Sequence, residues 1–266
     1  MSEPFSVTRI THSCHLIEIG GATILTDPWF SQKSGYHPGE PIAVPVAELP
    51  ALDAILISHA HYDHCDLDAL DAYPDRSVPL IVCGPVAKSA RDHGFTDVTA
   101  LVPGESAKIG QVTVTAAPAR HQVEEITFVI DGGGRTVYFA GDTLYIPELD
   151  ELPTRFPRID LALVPTNGLR IRPLLDKKIV MDAQDAARLM AVLKPAVAVP
   201  HHYAFTSGPV GDRLLTKGDR DPSHFVDAVA RVAPQVRAKI IRPGERLDLA
   251  AMIPPAWTPT ASESLG

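Results

Sequence analysis

The sequence predicts an α/β fold of four layers, two packed β-sheets with helices on both outer faces (αββα), and a metal site at one edge of the two sheets. Three observations lead there. Short apolar runs of strand length alternate with amphipathic helical stretches. The two halves of the chain repeat this layout loosely, each with a hairpin whose second strand runs into an aspartate, Asp27 in the first and Asp142 in the second. Histidines and aspartates suited to metal binding recur where predicted strands end, at His59 to His64, His121, Asp142 and His202.

The elements follow in order. Residues 14–19, the pair Gly20-Gly21 and residues 22–27 read as strand, turn, strand, because paired glycines supply the positive φ angles of a tight hairpin. A Pro-rich loop over 36–50 precedes the apolar run Ala54-Ile55-Leu56-Ile57, a buried strand that feeds the histidine cluster. Residues 67–73 read as helix, 80–83 as a buried strand, and 86–93 as a helix closed by Gly94. Strands follow at 96–101 and 112–117. The second hairpin uses 126–130, the turn 131–134 and 136–140, and ends in Gly141-Asp142-Thr143. A strand at 159–164, an amphipathic helix at 182–193 and a strand at 196–199 lead to His201-His202. A helix at 222–232 and a strand at 238–242 complete the prediction.

Bulk properties bound the function. The 266 residues, 45% of them hydrophobic, suit one α/β unit over 1–253, with the Pro-, Thr- and Ser-containing stretch 254–266 expected as a flexible tail. A net charge of −8 argues against a nucleic-acid or membrane-surface partner, either of which calls for a basic face. The three cysteines, Cys14, Cys65 and Cys83, show no CxxC spacing and cannot all pair, which suggests a reducing compartment. Residues 1–13 hold no apolar signal-peptide stretch, and no run reaches membrane-spanning length. The expected setting is the cytoplasm and the expected partner a small-molecule substrate; oligomeric state is not specified.

The most informative segment is His59-Ala60-His61-Tyr62-Asp63-His64. Neutral imidazole and carboxylate are ligands that zinc, manganese and iron take from proteins. In an extended segment His59 and His61 can point the same way, while the neighbours Asp63 and His64 diverge and can reach a second ion. The later pair His201-His202 faces opposite sides of a strand, so only one of the two should enter the site.

With these residues in place, the pattern resembles the metallo-β-lactamase superfamily. Residues 58–64 match its HxHxDH motif, and a lone histidine (His121), Gly141-Asp142-Thr143 and Pro200-His201-His202-Tyr203 follow in the family's order. Thr11-His12-Ser13-Cys14 and Thr26-Asp27-Pro28-Trp29 are similar to the branch of metal-dependent hydrolases that includes L-ascorbate-6-phosphate lactonase. The resemblance spans about residues 7–245. It implies that His59, His61 and His121 bind one divalent ion, that Asp63, His64 and His202 bind another, and that Asp142 bridges them. The Pro-x-His-Tyr pattern favours His202 over His201. Zinc leads among the implied ions, with manganese and then iron behind it. A metal-bound hydroxide would attack an ester, lactone or amide, with Asp63 and Asp142 as the catalytic carboxylates. The chain lacks the later cysteine ligand of the main class of true metallo-β-lactamases, so antibiotic hydrolysis is not expected.

Other residues carry alternatives. Asp27 either supports a ligand from behind or caps a turn, and His12 either lies near the metals or is a plain turn residue. Tyr203 either stands by the site or fills core. Arg120, Asn167, Arg170 and Arg172 would favour an anionic substrate if their segments overhang the metals; the alternative is a solvated charged loop. Three rival functions remain: a phosphodiesterase or nuclease, an iron-dependent oxidoreductase, and a non-enzymatic metal-binding protein.

Overall fold

In the computed structural model, which describes residues 3–33 and 35–253, each sheet starts as an antiparallel meander and finishes with parallel strands. The expected tail at 254–266 lies outside the described residues. β1 (Ser6–Thr11), β2 (Cys14–Ile19) and β3 (Ala22–Thr26) are antiparallel, and β4 (Ala54–Ile57), β5 (Leu80–Cys83) and β6 (Val98–Leu101) add in parallel. The second sheet repeats the scheme. β7 (Ser106–Ile109), β8 (Val112–Ala117), β9 (Thr127–Gly132) and β10 (Arg135–Phe139) are antiparallel, and β11 (Leu161–Pro165) follows in parallel. β12 (Arg170–Ile171) and β13 (Lys177–Lys178) leave the sheet; β14 (Val197–His201) rejoins it beside β11. β15 (Leu215–Thr216) joins β12 and β13 in a small ribbon, β16 (Arg237–Ala238) flanks β14, and β17 (Arg246–Asp248) returns to pair with β1.

Parallel neighbours need crossovers, and these supply the helices. α1 (Leu67–Leu70) links β4 to β5, and α2 (Gly84–Asp92) links β5 to β6. α3 (Leu152–Arg155) precedes β11, α4 (Ala183–Leu193) links β11 to β14, and α5 (Gly208–Leu214) and α6 (Ser223–Val232) follow β14. The Asp182 carboxylate starts α4 by accepting from the amides of Gln184 and Asp185, and Lys194 ends it in a left-handed conformation. Ala183, Ala186, Ala187, Met190 and Leu193 form the buried stripe of α4 and pack with Phe225, Ala228 and Val229 of α6 on the second sheet.

Strand periodicity explains how that sheet is buried on both faces. Val137, Phe139, Leu161, Leu163, Val197 and Val199 face the core between the sheets. Their neighbours Tyr138, Ala140, Ala162, Val164 and Ala198 face the helices. The two glycine hairpins also meet. Gly20 (φ +55°) stands so close to the β9–β10 turn that a Cβ there would lie 2.9 Å from the Gly132 carbonyl carbon and the Gly133 nitrogen.

The expected strand at 238–242 is shorter than its apolar pattern suggests. It stops at Ala238, because the turn closed by Glu245 N–H on Arg242 O carries the chain across to β1, where Gly244 N–H donates to Arg9 O. The last strand is instead β17. The sequence-based expectation also lacks β1, β7 and the ribbon: β1 and β7 mix polar residues into their runs, and the two-residue pairings of the ribbon leave no periodic signal.

Candidate metal centre

The predicted residues converge beyond the carboxyl ends of β3, β4, β8, β10 and β14, on one edge of the two sheets. Asp27 directly follows β3, Ser58 and His59 follow β4, and His202 follows β14 with φ +62°. The turn after β4 is tied down by His64 N–H and Cys65 N–H donating to His61 O at 3.0 and 2.9 Å. Asp66 caps α1 and accepts from the amides of Phe30 and Ser31, joining this turn to the segment after β3.

Two groups of donors result. In the first, Nδ1 of His61 lies 3.0 Å from His59 Nε2 and 3.1 Å from His121 Nε2. In the second, Asp142 Oδ2 lies 2.8 Å from His202 Nε2 and 3.2 Å from His64 Nε2. Asp63 Oδ2 lies 3.6 and 3.8 Å from the same two nitrogens, and 3.4 Å from His12 Nε2. His201 points elsewhere: its Nδ1 lies 3.0 Å from Ser13 Oγ, and its ring stacks on Phe139.

The donor set suits cations. His121 Nδ1 lies 2.9 Å from the Ile179 carbonyl, which can only accept, so Nδ1 carries the proton and the Nε2 lone pair faces the group. His64 is fixed the same way, with Nδ1 donating to Asp27 Oδ2 at 2.6 Å. Its Nε2 therefore faces two carboxylates, an arrangement that requires positive charge between them, from a proton or a metal. Buried atoms without a hydrogen-bond partner cluster here too, among them His64 Nε2, His202 Nε2, Asp142 Oδ1 and both ring nitrogens of His12.

The electrostatics divide along the same lines. Burial holds His59 down at about 3 and lowers His121, leaving neutral imidazoles that are ready to donate lone pairs. For His64 burial opposes charge, but Asp142, Asp63 and Asp27 outweigh it and raise the ring well above its ordinary value. Burial likewise opposes ionisation of Asp63 and Asp142, and the facing histidines hold both well below the usual carboxylate range.

Residues behind the donors orient them. Asp27 Oδ1 accepts from Ser58 N–H, and Asp27 Oδ2 from Ser58 Oγ, both at 2.7 Å. Glu125, which the sequence did not single out, accepts from Asp142 N–H at 2.6 Å and lies 3.3 Å from His59 Nδ1. Burial, opposed by His121 and aided by Asp142, pushes its carboxyl up to about 8. Its neighbour Glu124 offers the same chemistry in the sequence, and only the bridge between Glu125 and His59 separates them. Tyr203 stands back from the donors, its hydroxyl accepting from Arg9 Nη1 at 2.7 Å.

A cavity of ≈ 200 Å³ opens over the donors, with His61, Asp63, His121, Asp142 and His202 at its floor. Tyr36, Tyr62, Leu169, Ile179, Phe205 and Leu215 form its walls, and no arginine or lysine is among its described lining residues. The expected substrate contacts Arg120, Asn167, Arg170 and Arg172 do not line this cavity. Arg120 is exposed and 3.9 Å from Glu148; Arg170 donates to Asp176 O at 3.0 Å; Arg172 is exposed. Ribbon formation is the reason: β12, β13 and β15 pair so that Leu169, Ile179 and Leu215 face the cavity. Asn167 is buried behind the ribbon, its Oδ1 accepting from Leu169 N–H at 3.1 Å.

Comparison with known proteins agrees with this architecture. Residues 22–203 match the sequence profile of the Beta-lactamase superfamily domain. A UPF0173 metal-dependent hydrolase of Caldivirga maquilingensis is 26% identical over 242 residues, covering 90% of this chain and 95% of the relative. Igni18, a metallo hydrolase from Ignicoccus hospitalis, superposes with a TM-score of 0.68 at 22% identity, covering 91% of this chain and 97% of that one. CmlA, a diiron β-hydroxylase from Streptomyces venezuelae, gives 0.72 at 20% identity, covering 93% of this chain and 55% of that one. Matched by that profile from β3 to Tyr203 and folded as two sheets between helices, the chain belongs to the metallo-β-lactamase superfamily.

Proposed function

We propose that this protein is a metal-dependent hydrolase that holds two divalent ions and cleaves a small ester, lactone or amide with an apolar group beside the scissile bond. One observation carries the two-ion reading: two converging donor groups flank Asp142, whose Oδ2 faces His64 and His202 while Oδ1 has no hydrogen-bond partner among the described residues. His59, His61 and His121 would hold one ion, Asp63, His64 and His202 the other, with Asp142 between them. Zinc suits this set first, with manganese and iron as alternatives. When bound, the ions would supply Lewis acidity that acidifies water and polarises the attacked carbonyl.

The remaining roles belong to the chain. Asp27 holds His64, Ser58 Oγ lies 2.9 Å from His59 Nδ1 and the Ile179 carbonyl holds His121, so the lone pairs are aimed before any ion arrives. Asp63 and Asp142 face the cavity and offset cationic charge, and either carboxylate can take a proton from the attacking water. The tyrosine, phenylalanine and leucine walls seat an apolar substituent and exclude bulk water. Among the described residues no arginine or lysine lines the cavity itself, and the nearby Lys33 and Lys217 stand over the rings of Tyr62 and Phe205, which is why the basic-groove phosphodiesterase reading ranks second.

Purified protein, prepared without chelators, should contain two zinc or manganese ions per chain. It should hydrolyse apolar esters or lactones faster than their carboxylate-bearing analogues, and lose activity reversibly to chelation. Preference for bis-aryl phosphodiesters would replace this reading with the phosphodiesterase, and bound iron with oxidative turnover would replace it with the oxidoreductase.

A further inference from the structure

We propose that His12 is itself a ligand of the second ion, which would then be held by five side chains: His12, Asp63, His64, Asp142 and His202. The inference rests on the two-ion reading above and adds a residue to it.

His12 occupies the tight connection between β1 and β2 with φ +45°, a left-handed conformation uncommon outside glycine. Its peptide groups are clamped on both sides. The His12 N–H donates to Glu40 Oε1 at 2.9 Å, and its carbonyl accepts from Nε and Nη2 of Arg9, both at 3.4 Å. Arg9 and Glu40 are ion-paired with each other, and Arg9 also holds Tyr203. Trp29 and Phe205 meet the imidazole edge-on, with centroids 4.8 and 5.4 Å away. Backbone and packing together aim this ring.

It is aimed at the second donor group. The residue is 0% exposed, its ring centroid lies 4.3 Å from that of His202, and Nε2 lies 3.4 Å from Asp63 Oδ2. Among the described residues neither ring nitrogen has a hydrogen-bond partner. A buried imidazole left so is costly, and 3.4 Å is too long for a strong imidazole–carboxylate hydrogen bond, which closes to about 2.7–2.9 Å. The spacing instead suits neighbours around one cation. With bonds of about 2.0–2.2 Å, adjacent ligand atoms stand roughly 2.9–3.5 Å apart. The donor atoms of His12, Asp63, His64 and His202 all fall within 4.8 Å of one another, and those of His64 and His202 also approach Asp142 Oδ2.

The two ions would then be unequal. The first group has three histidines plus Asp142; His61 and His121 from it, and Asp63 and His202 from the second, open on the cavity, whereas His12 and His64 do not line it.

The test titrates metal-free, full-length protein with Co²⁺, read by calorimetry and by ligand-field absorption, for wild type, His12→Phe and His12→Gln. Ring ¹⁵N NMR of zinc-loaded wild type is recorded in parallel. Phenylalanine keeps a ring against Trp29 and Phe205, while glutamine restores an oxygen donor. Wild type should bind two ions. In His12→Phe the weaker Kd should rise at least about 100-fold with a changed absorption envelope, and glutamine should recover part of the loss. On zinc loading, His12 Nε2 should be unprotonated and shifted, a readout that needs no variant to fold. A protonated Nε2 in the zinc-loaded protein, or wild-type affinity and spectrum in His12→Phe, would overturn the assignment and leave the two-ion site standing. Failure of wild type to bind any ion would overturn both.

Discussion

Asp27 Oδ2 lies 2.6 Å from His64 Nδ1, and through that contact the end of β3 controls a donor that the end of β4 supplies. The same carboxylate holds the Ser58 amide and hydroxyl, so one side chain sets the path of the turn and the tautomer of its last histidine. Asp27→Ala should weaken metal binding by about 10–100-fold, as loss of a residue behind a ligand does. Chelator competition measures this directly. An unchanged affinity would mean that the bond only caps a turn.

In the proposed two-ion site Asp142 links the donor groups, so its removal should cost more than the removal of any single histidine. Asp142→Ala should bind fewer than two ions and lose metal-dependent turnover. Elemental analysis with a rate assay is the check; a variant that keeps both ions and its full rate would end the bridging role.

His201 and His202 are adjacent and both buried, yet they should fail differently. His202→Ala should leave a folded chain with turnover down at least about 100-fold, because its nitrogen faces Asp142. His201→Ala should lose about 2–4 kcal/mol of stability, since it removes a ring packed on Phe139 and hydrogen-bonded to Ser13, while metal content is retained. Urea unfolding beside metal analysis separates them, and the opposite pattern would exchange their roles.

The hairpin glycines make a matched pair of stability tests. Gly21→Ala meets no described residue within 4 Å and should cost only the left-handed strain, about 1–2 kcal/mol. Gly20→Ala adds a backbone clash with Gly132 and Gly133 and should cost about 2–4 kcal/mol. Equal losses in thermal unfolding would show that the two sheets do not need this contact.

At the end of α2, His93 accounts for a modest pH dependence. The Ser89 carbonyl, 2.8 Å from Nδ1, and then Asp68, 3.2 Å from Nε2, raise its pKa above the ordinary 6.5. A raised folded value means that protonation favours folding. The contribution is full below the ordinary value and is lost as pH rises through the folded one. His93→Gln should therefore lower the urea midpoint at about pH 5 and leave it nearly unchanged at about pH 9. A loss that is the same at both would assign the effect to packing.

Much of this was legible in the sequence because its causes are local. Period-two apolar runs, paired glycines and a capping aspartate define β2 to β5, α4 and both hairpins from neighbours along the chain. The spacing of His59, His61, Asp63 and His64 likewise depends on one turn. The tertiary structure alone decided what depends on distant segments meeting. It turned His202 rather than His201 toward Asp142, set Glu125 rather than Glu124 behind the donors, and brought His12 from the β1–β2 connection to within 3.4 Å of Asp63. It also paired β12, β13 and β15 so that the cavity received leucine, isoleucine and aromatic walls while Arg170 and Arg172 lay outside them. Local pattern determines which face of an element is buried; which residues share a buried space is set only when the sheets pack and close over it.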